Sequence, residues 1–120
     1  MENPTFPAGI RPLLTQLQQY AHATARAKGW YEGDLADRNF GEVIALMHSE
    51  LSEALEAWRK GQDDVRSING KPEGVAVELV DCVIRILDTL EYLGADFGEV
   101  LEEKMRFNEQ RSYRHGGKRA

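Results

Sequence analysis

The chain has 120 residues, of which 42% are hydrophobic and 29% charged, with a formal net charge of -5. This length accommodates one domain with one core, and the composition is that of a folded globular chain rather than a disordered one. The acidic balance argues against broad nucleic-acid binding, and no apolar run approaches the ~18 residues of a membrane span.

In chain order, residues 10–29 carry Leu13, Leu14, Leu17, Tyr20, Ala21 and Ala25 at helical spacing, with Gly29 as a stop. Residues 30–38 mix turn formers with Trp30 and Tyr31 and are expected to form a loop. A second helix runs from Asn39 or Phe40 to Lys60 on the stripe Phe40, Ile44, Met47, Leu51, Ala54, Leu55 and Trp58, and Gly61 ends it. The segment GQDDVRSINGKP is expected to be a polar linker, with Pro72 in the first turn of the next helix. That third helix has a broad apolar surface of Val75, Leu79, Val80, Val83, Ile86, Leu87 and Leu90 opposite a polar ridge of Glu78, Asp81, Arg85 and Asp88. Gly94 breaks it, and Asp96 caps a fourth helix carrying Phe97, Val100, Leu101 and Met105. No strand pattern stands out.

Four amphipathic helices with short links predict an all-α, four-helix-bundle-type single domain over 1–120, with its core at about 10–111 and a basic tail at 112–120. The apolar surface of helix three is wide for so small a domain, so the core is expected to continue into a second copy of the chain. The opening residues lack the basic and apolar regions of a secretory signal. Lone Cys82 builds neither an intrachain disulfide nor a thiolate metal site, and the cytoplasm is the expected compartment.

Two acidic pairs, Glu50-x-x-Glu53 and Glu78-x-x-Asp81, lie on consecutive helices. Residues three apart on a helix share a face, so each pair aims two carboxylates the same way. Glu53 stands eight residues before Gly61 and Glu78 six after Pro72, which at 1.5 Å per residue is about 12 and 9 Å from the turn. An antiparallel pairing therefore brings all four acids within one or two helical turns of each other. Arg85, four residues after Asp81, is the one base placed to pair with them. Unit charges about 4 Å apart repel by roughly 4 kcal/mol at an effective dielectric near 20, and a hard cation removes that cost. Oxygen-only ligands suit Mg²⁺, with Mn²⁺ as a substitute, and Mg²⁺ commonly shares its shell with substrate phosphates.

The runs HSELSEALEAWRKG, ELVDCVIRILD and KMRFNEQRSYRHGGK together resemble the all-α NTP pyrophosphohydrolases of the MazG-like superfamily, over about residues 39–118. The resemblance implies that Glu50, Glu53, Glu78 and Asp81 bind Mg²⁺, and that a nucleoside triphosphate is cleaved between its α and β phosphates to monophosphate and pyrophosphate. It also implies a homodimer or a dimer of dimers. Lys104, Asn108 and Arg111, on one stripe of helix four, and Lys118 resemble the family's phosphate-binding positions, and Trp30 and Asn39 its base-binding positions. Glu53 is the expected base for the attacking water. The tail Arg114-His115-Gly116-Gly117-Lys118 is either a flap over the triphosphate or a loose end.

Trp58 is read as core packing, and His48, His22 and Cys82 as structural. A di-iron bundle is disfavoured because no Glu-x-x-His occurs. The competing readings are a non-catalytic dimeric helical interaction module and a phosphoribosyl-ATP pyrophosphatase-like hydrolase. No nucleic-acid or membrane partner is expected.

Overall fold

The computed structural model describes residues 4–33, 37–111 and 113–119. Of the expected loop at 30–38, positions 34–36 lie outside the described residues, as do Ser112 and Ala120 of the tail and the side chain of His115. The chain is mostly helical: α1 (Arg11–Ala27), α2 (Phe40–Arg59), α3 (Val75–Tyr92) and α4 (Phe97–Glu109), with a short turn α5 (Arg114–Gly117). No described helix is long and apolar enough to cross a membrane. The four long helices match the expected ones to within a few residues. Asn39 and Asp96 cap α2 and α4, each side chain accepting from the backbone N–H three residues on.

The segment between α2 and α3 departs from expectation. It is a β-hairpin, not a linker, with β1 (Arg66–Ile68) antiparallel to β2 (Lys71–Glu73) and Ser67 opposite Pro72. Asn69 and Gly70 both take positive φ, 54° and 79°, as a two-residue hairpin turn of matching twist requires. Pro72 therefore belongs to β2 rather than to the first turn of α3. A two-stranded ribbon leaves one side of each strand unpaired, so the missing N–H is tolerated. The hairpin returns through Gly74, whose φ is 123° and where a Cβ would stand 2.1 Å from the carbonyl oxygen of Asp64. Only glycine fits so close a backbone approach.

α3 is the central element: α2 packs along it, α1 packs on another side of it, and α4 packs on α1. The joint between α1, α3 and α4 is polar. Gln18 of α1 is 2% exposed, donates from Nε2 to Glu91 Oε2 (2.8 Å) and to the Ala95 carbonyl (2.6 Å), and accepts at Oε1 from the Phe97 N–H (2.7 Å). One side chain thus satisfies the α3–α4 turn and the orphan first N–H of α4. Thr15 Oγ1 adds a bond to the Asp96 carboxylate at 3.1 Å.

The apolar side of the fold is open. Among the described residues, the buried hydrophobic ones are Ala21, Val43, Ala54, Ala57, Cys82 and Leu87. Leu51, Leu55 and Trp58 of α2 and Leu79, Val80 and Val83 of α3 are exposed. Trp58, expected in the core, is 62% exposed because α2 turns this stripe away from α1 and α4. The radius of gyration, 17.2 Å, exceeds the roughly 14 Å of a compact domain of this length.

Gln18→Ala strands the Phe97 N–H and the Ala95 carbonyl in the joint. Urea unfolding should show a loss of about 3 kcal/mol, the cost of several buried hydrogen bonds. A loss below about 1 kcal/mol would mean the joint is not built on Gln18.

Candidate metal centre and adjoining cavity

Packing of α2 against α3 brings the acids together as their spacing predicts. One carboxylate oxygen each from Glu50, Glu78 and Asp81 lies within 4.8 Å of the others. Two ligands on opposite sides of an octahedral Mg²⁺ stand about 4.2 Å apart, twice the ~2.1 Å bond, so small side-chain shifts would let these oxygens share one ion. The donor set is all oxygen and fits a hard divalent cation. Glu53 lies outside the trio but touches it through a hydrogen bond shared with Glu78. Glu50 is buried, whereas Glu78 and Asp81 are half-buried.

The electrostatics show the strain of this convergence. Burial pushes the Glu78 carboxyl up to about 7 from 4.5, reinforced by the hydrogen bond with Glu53 and the charges of Glu53, Asp81 and Glu50. Burial and the Glu50 charge also raise Asp81, with Arg85 and Lys71 pulling the other way. Arg85 does not hydrogen-bond to Asp81, its neighbour on the same helix face. Its Nε instead donates to Glu50 Oε1 at 2.8 Å, because Glu50 comes within reach across the helix contact. This fixes the direction of the Glu50 carboxylate, while Arg85 acts on Asp81 through its charge alone.

Two cavities lie against the acids, each lined by a different pair of them. The larger, about 550 Å³, has Glu50, Asp81 and Arg85 at one part of its wall and Trp30, Arg38 and Asp88 elsewhere on it. The smaller, about 240 Å³, is lined by Glu53, Glu78, Lys60 and Lys71, among others. Lys71 comes from the hairpin, so reading that segment as a linker missed a base held near the acids. The Asn69-Gly70 pair was the available signal.

Of the two expected base-binding residues, Trp30 lines the larger cavity, whereas Asn39 is engaged as the α2 cap and lies outside that lining. Lys104, Asn108, Arg111 and Lys118 line neither cavity. Lys104 and Arg111 instead stand over the Phe107 ring, each about 5.0 Å from its centroid. Lys104 and Asn108 lie on α4, whereas Arg111, expected on the same helix, stands two residues past its last residue, Glu109. His48 is exposed, and Cys82 is buried with its thiol 3.7 Å from the Met47 carbonyl oxygen.

Asp88 was legible only as a member of the polar ridge. Its Oδ1 lies 2.8 Å from His22 Nδ1 and accepts from the Tyr31 hydroxyl at 2.8 Å, and Arg38 Nη1 stands 3.9 Å from Oδ2. The Tyr31 ring meets His22 edge-on at 4.8 Å, and Arg38 lies over it at 4.9 Å. Burial and the bond to Asp88 push the Tyr31 hydroxyl up to about 12, so it stays a donor. No family model matches the sequence, and no curated protein or solved structure gives a significant match to the chain.

A raised acid stabilises the fold while it is protonated. Glu78 holds its proton to about pH 7 in the folded state and to about 4.5 when unfolded, so stability should fall as pH rises across that window. In metal-free protein the melting temperature should decline from about pH 5 to about pH 7, and Glu78→Gln should flatten the decline. An unchanged slope in the variant would remove Glu78 as its source.

Proposed function

We propose that the chain is a metal-dependent nucleoside triphosphate pyrophosphohydrolase of the MazG-like type, cleaving NTPs or dNTPs between the α and β phosphates. The observation that carries this reading is the meeting of Glu50, Glu78 and Asp81, two of which, Glu50 and Asp81, line a cavity that also has Trp30 in its wall. A volume of about 550 Å³ lies within the range of small-ligand sites, roughly 300–1,000 Å³. An aromatic wall suits a planar base and an acidic edge suits a cation-bound triphosphate.

In this reading Glu50, Glu78 and Asp81 hold Mg²⁺, or Mn²⁺ in its place. When bound, the cation neutralises phosphate charge and lowers the pKa of water. Arg85 fixes the direction of the Glu50 carboxylate. Glu53, next to the trio but outside it, accepts the proton of the water that attacks the α phosphorus. The P–O bond to the β phosphate breaks, and pyrophosphate carries away the electron pair. Trp30 stacks on the base.

The reading includes a homodimer, or a dimer of dimers. Support comes from the exposed Leu51, Leu55 and Trp58 of α2 and Leu79, Val80 and Val83 of α3, and from a radius of gyration too large for a closed single-chain core. Light scattering should report a multiple of 13.6 kDa, and a clean monomer at micromolar concentration would contradict the assembly.

The test of the activity is product analysis over a panel of NTPs and dNTPs with Mg²⁺. Monophosphate and pyrophosphate are expected, and diphosphate with inorganic phosphate, or no hydrolysis, would contradict the reading. Glu53→Gln should lower kcat by about 10²- to 10⁴-fold, the range of a lost general base, with the fold intact. A fully active variant would exclude Glu53 as the base.

A further inference from the structure

The larger cavity has a polar pair that the proposed chemistry leaves unused. Asp88 and Arg38 both line it, whereas His22 and Tyr31, which tie down Asp88 Oδ1, do not. The side chains of Asp88 and Arg38 are each 13% exposed. Oδ1 is committed to His22 and Tyr31. Oδ2 has Arg38 Nη1 at 3.9 Å, close enough for charge attraction but beyond a hydrogen bond. An acceptor and a donor therefore stand side by side in the wall, each with hydrogen-bonding capacity to spare. Arg38 is steadied from beneath by the Tyr31 ring at 4.9 Å.

Asp88 stands seven residues, about two turns, beyond Asp81 on α3, and at 1.5 Å per residue that is about 10 Å along the helix. The acid site and the Asp88–Arg38 pair are thus different stations of one cavity. Trp30 supplies a ring face in the same wall, but a face alone tolerates any planar group. A donor beside an acceptor is the pattern of the hydrogen-bonding edge of a nucleobase, where an N–H neighbours a ring nitrogen or carbonyl oxygen.

We propose that Arg38 and Asp88 form the specificity-determining pair of this cavity, reading the hydrogen-bonding edge of a nucleobase, with Asp88 Oδ2 accepting from a base N–H and Arg38 donating to the adjacent acceptor. His22 and Tyr31 are positioning residues that hold Asp88 in this orientation. The inference deepens the proposed function and rests on it for the identity of the ligand. It predicts that a ring able to stack but lacking edge groups is a poor ligand, because the pair is then buried with its partners missing.

The test compares natural nucleoside triphosphates with benzimidazole riboside triphosphate, which keeps a planar ring and carries no edge donor or acceptor at the corresponding positions. Wild-type protein should favour the best natural base by a factor of about 100 or more in kcat/KM. Arg38→Gln and Asp88→Asn should each shrink that ratio by about tenfold or more, while Mn²⁺ affinity and the melting temperature stay near those of wild type. Arg38 lies outside the helices, so Arg38→Gln keeps the test alive should Asp88→Asn fail to fold.

Hydrolysis with the wild-type ratio preserved in Arg38→Gln would overturn the inference and leave the hydrolase reading standing. Absence of hydrolysis in wild-type protein would sink the hydrolase reading instead, and quenching of Trp30 fluorescence by the same nucleotides, in a Trp58→Phe background, would then decide. A preference over the benzimidazole analogue that disappears in the variants upholds the pair, and equal quenching by all the ligands refutes it.

Discussion

Mutual repulsion among carboxylates at the α2–α3 contact is the constraint around which the rest of this structure is arranged. Apolar packing forces the helices together, and the same packing drives Glu50, Glu78 and Asp81 into one small volume. The protein offsets this only in part. Arg85 neutralises Glu50 across the contact, Lys71 approaches Asp81 from the hairpin, and Glu78 retains a proton toward neutral pH. A fold that wanted only stability would replace the trio with apolar residues, since buried charge is seldom a net gain. A strongly shifted carboxyl such as that of Glu78 beside a cavity is instead typical of sites that bind or react.

α3 is the axis on which both ends of the cavity are set out. Glu78, Asp81, Arg85 and Asp88 follow one another at spacings of three, four and three residues, so one rigid helix fixes the distance from the acid trio to the Asp88 hub. The hub in turn draws in His22 from α1, and Tyr31 and Arg38 from the segment leading to α2. Gln18 keeps α1 and α4 in register with the far end of α3, which holds His22 at the height of Asp88. The acid trio and the Asp88 hub therefore depend on the same helix packing.

The parts of this arrangement legible in the sequence were those written in helical periodicity. Two acidic pairs on adjacent amphipathic helices, with matching distances from the intervening turn, were sufficient to predict that Glu50, Glu78 and Asp81 converge. Periodicity could not place Glu53 finely enough, and it stands beside the trio rather than within it. The hairpin was missed because its strands are three residues each, too short to show alternation, although Asn69-Gly70 carried the turn signal. Arg85 was assigned to its neighbour Asp81 because local spacing is visible in a sequence and cross-helix reach is not. Arg38 lies in an aperiodic segment, so no spacing could link it to Asp88, fifty residues on. Trp58 was read as core from its stripe; that stripe is an apolar face left uncovered within one chain.

Cation binding at the trio is the central claim, and calorimetric titration of metal-free protein with Mn²⁺ near pH 6.5 tests it most directly. The account predicts saturable binding in wild-type protein, clearly weakened in Asp81→Asn, with proton release that varies with the ionisation heat of the buffer, because Glu78 must give up its proton to the metal. No binding, or equal binding by wild type and Asp81→Asn, would contradict it.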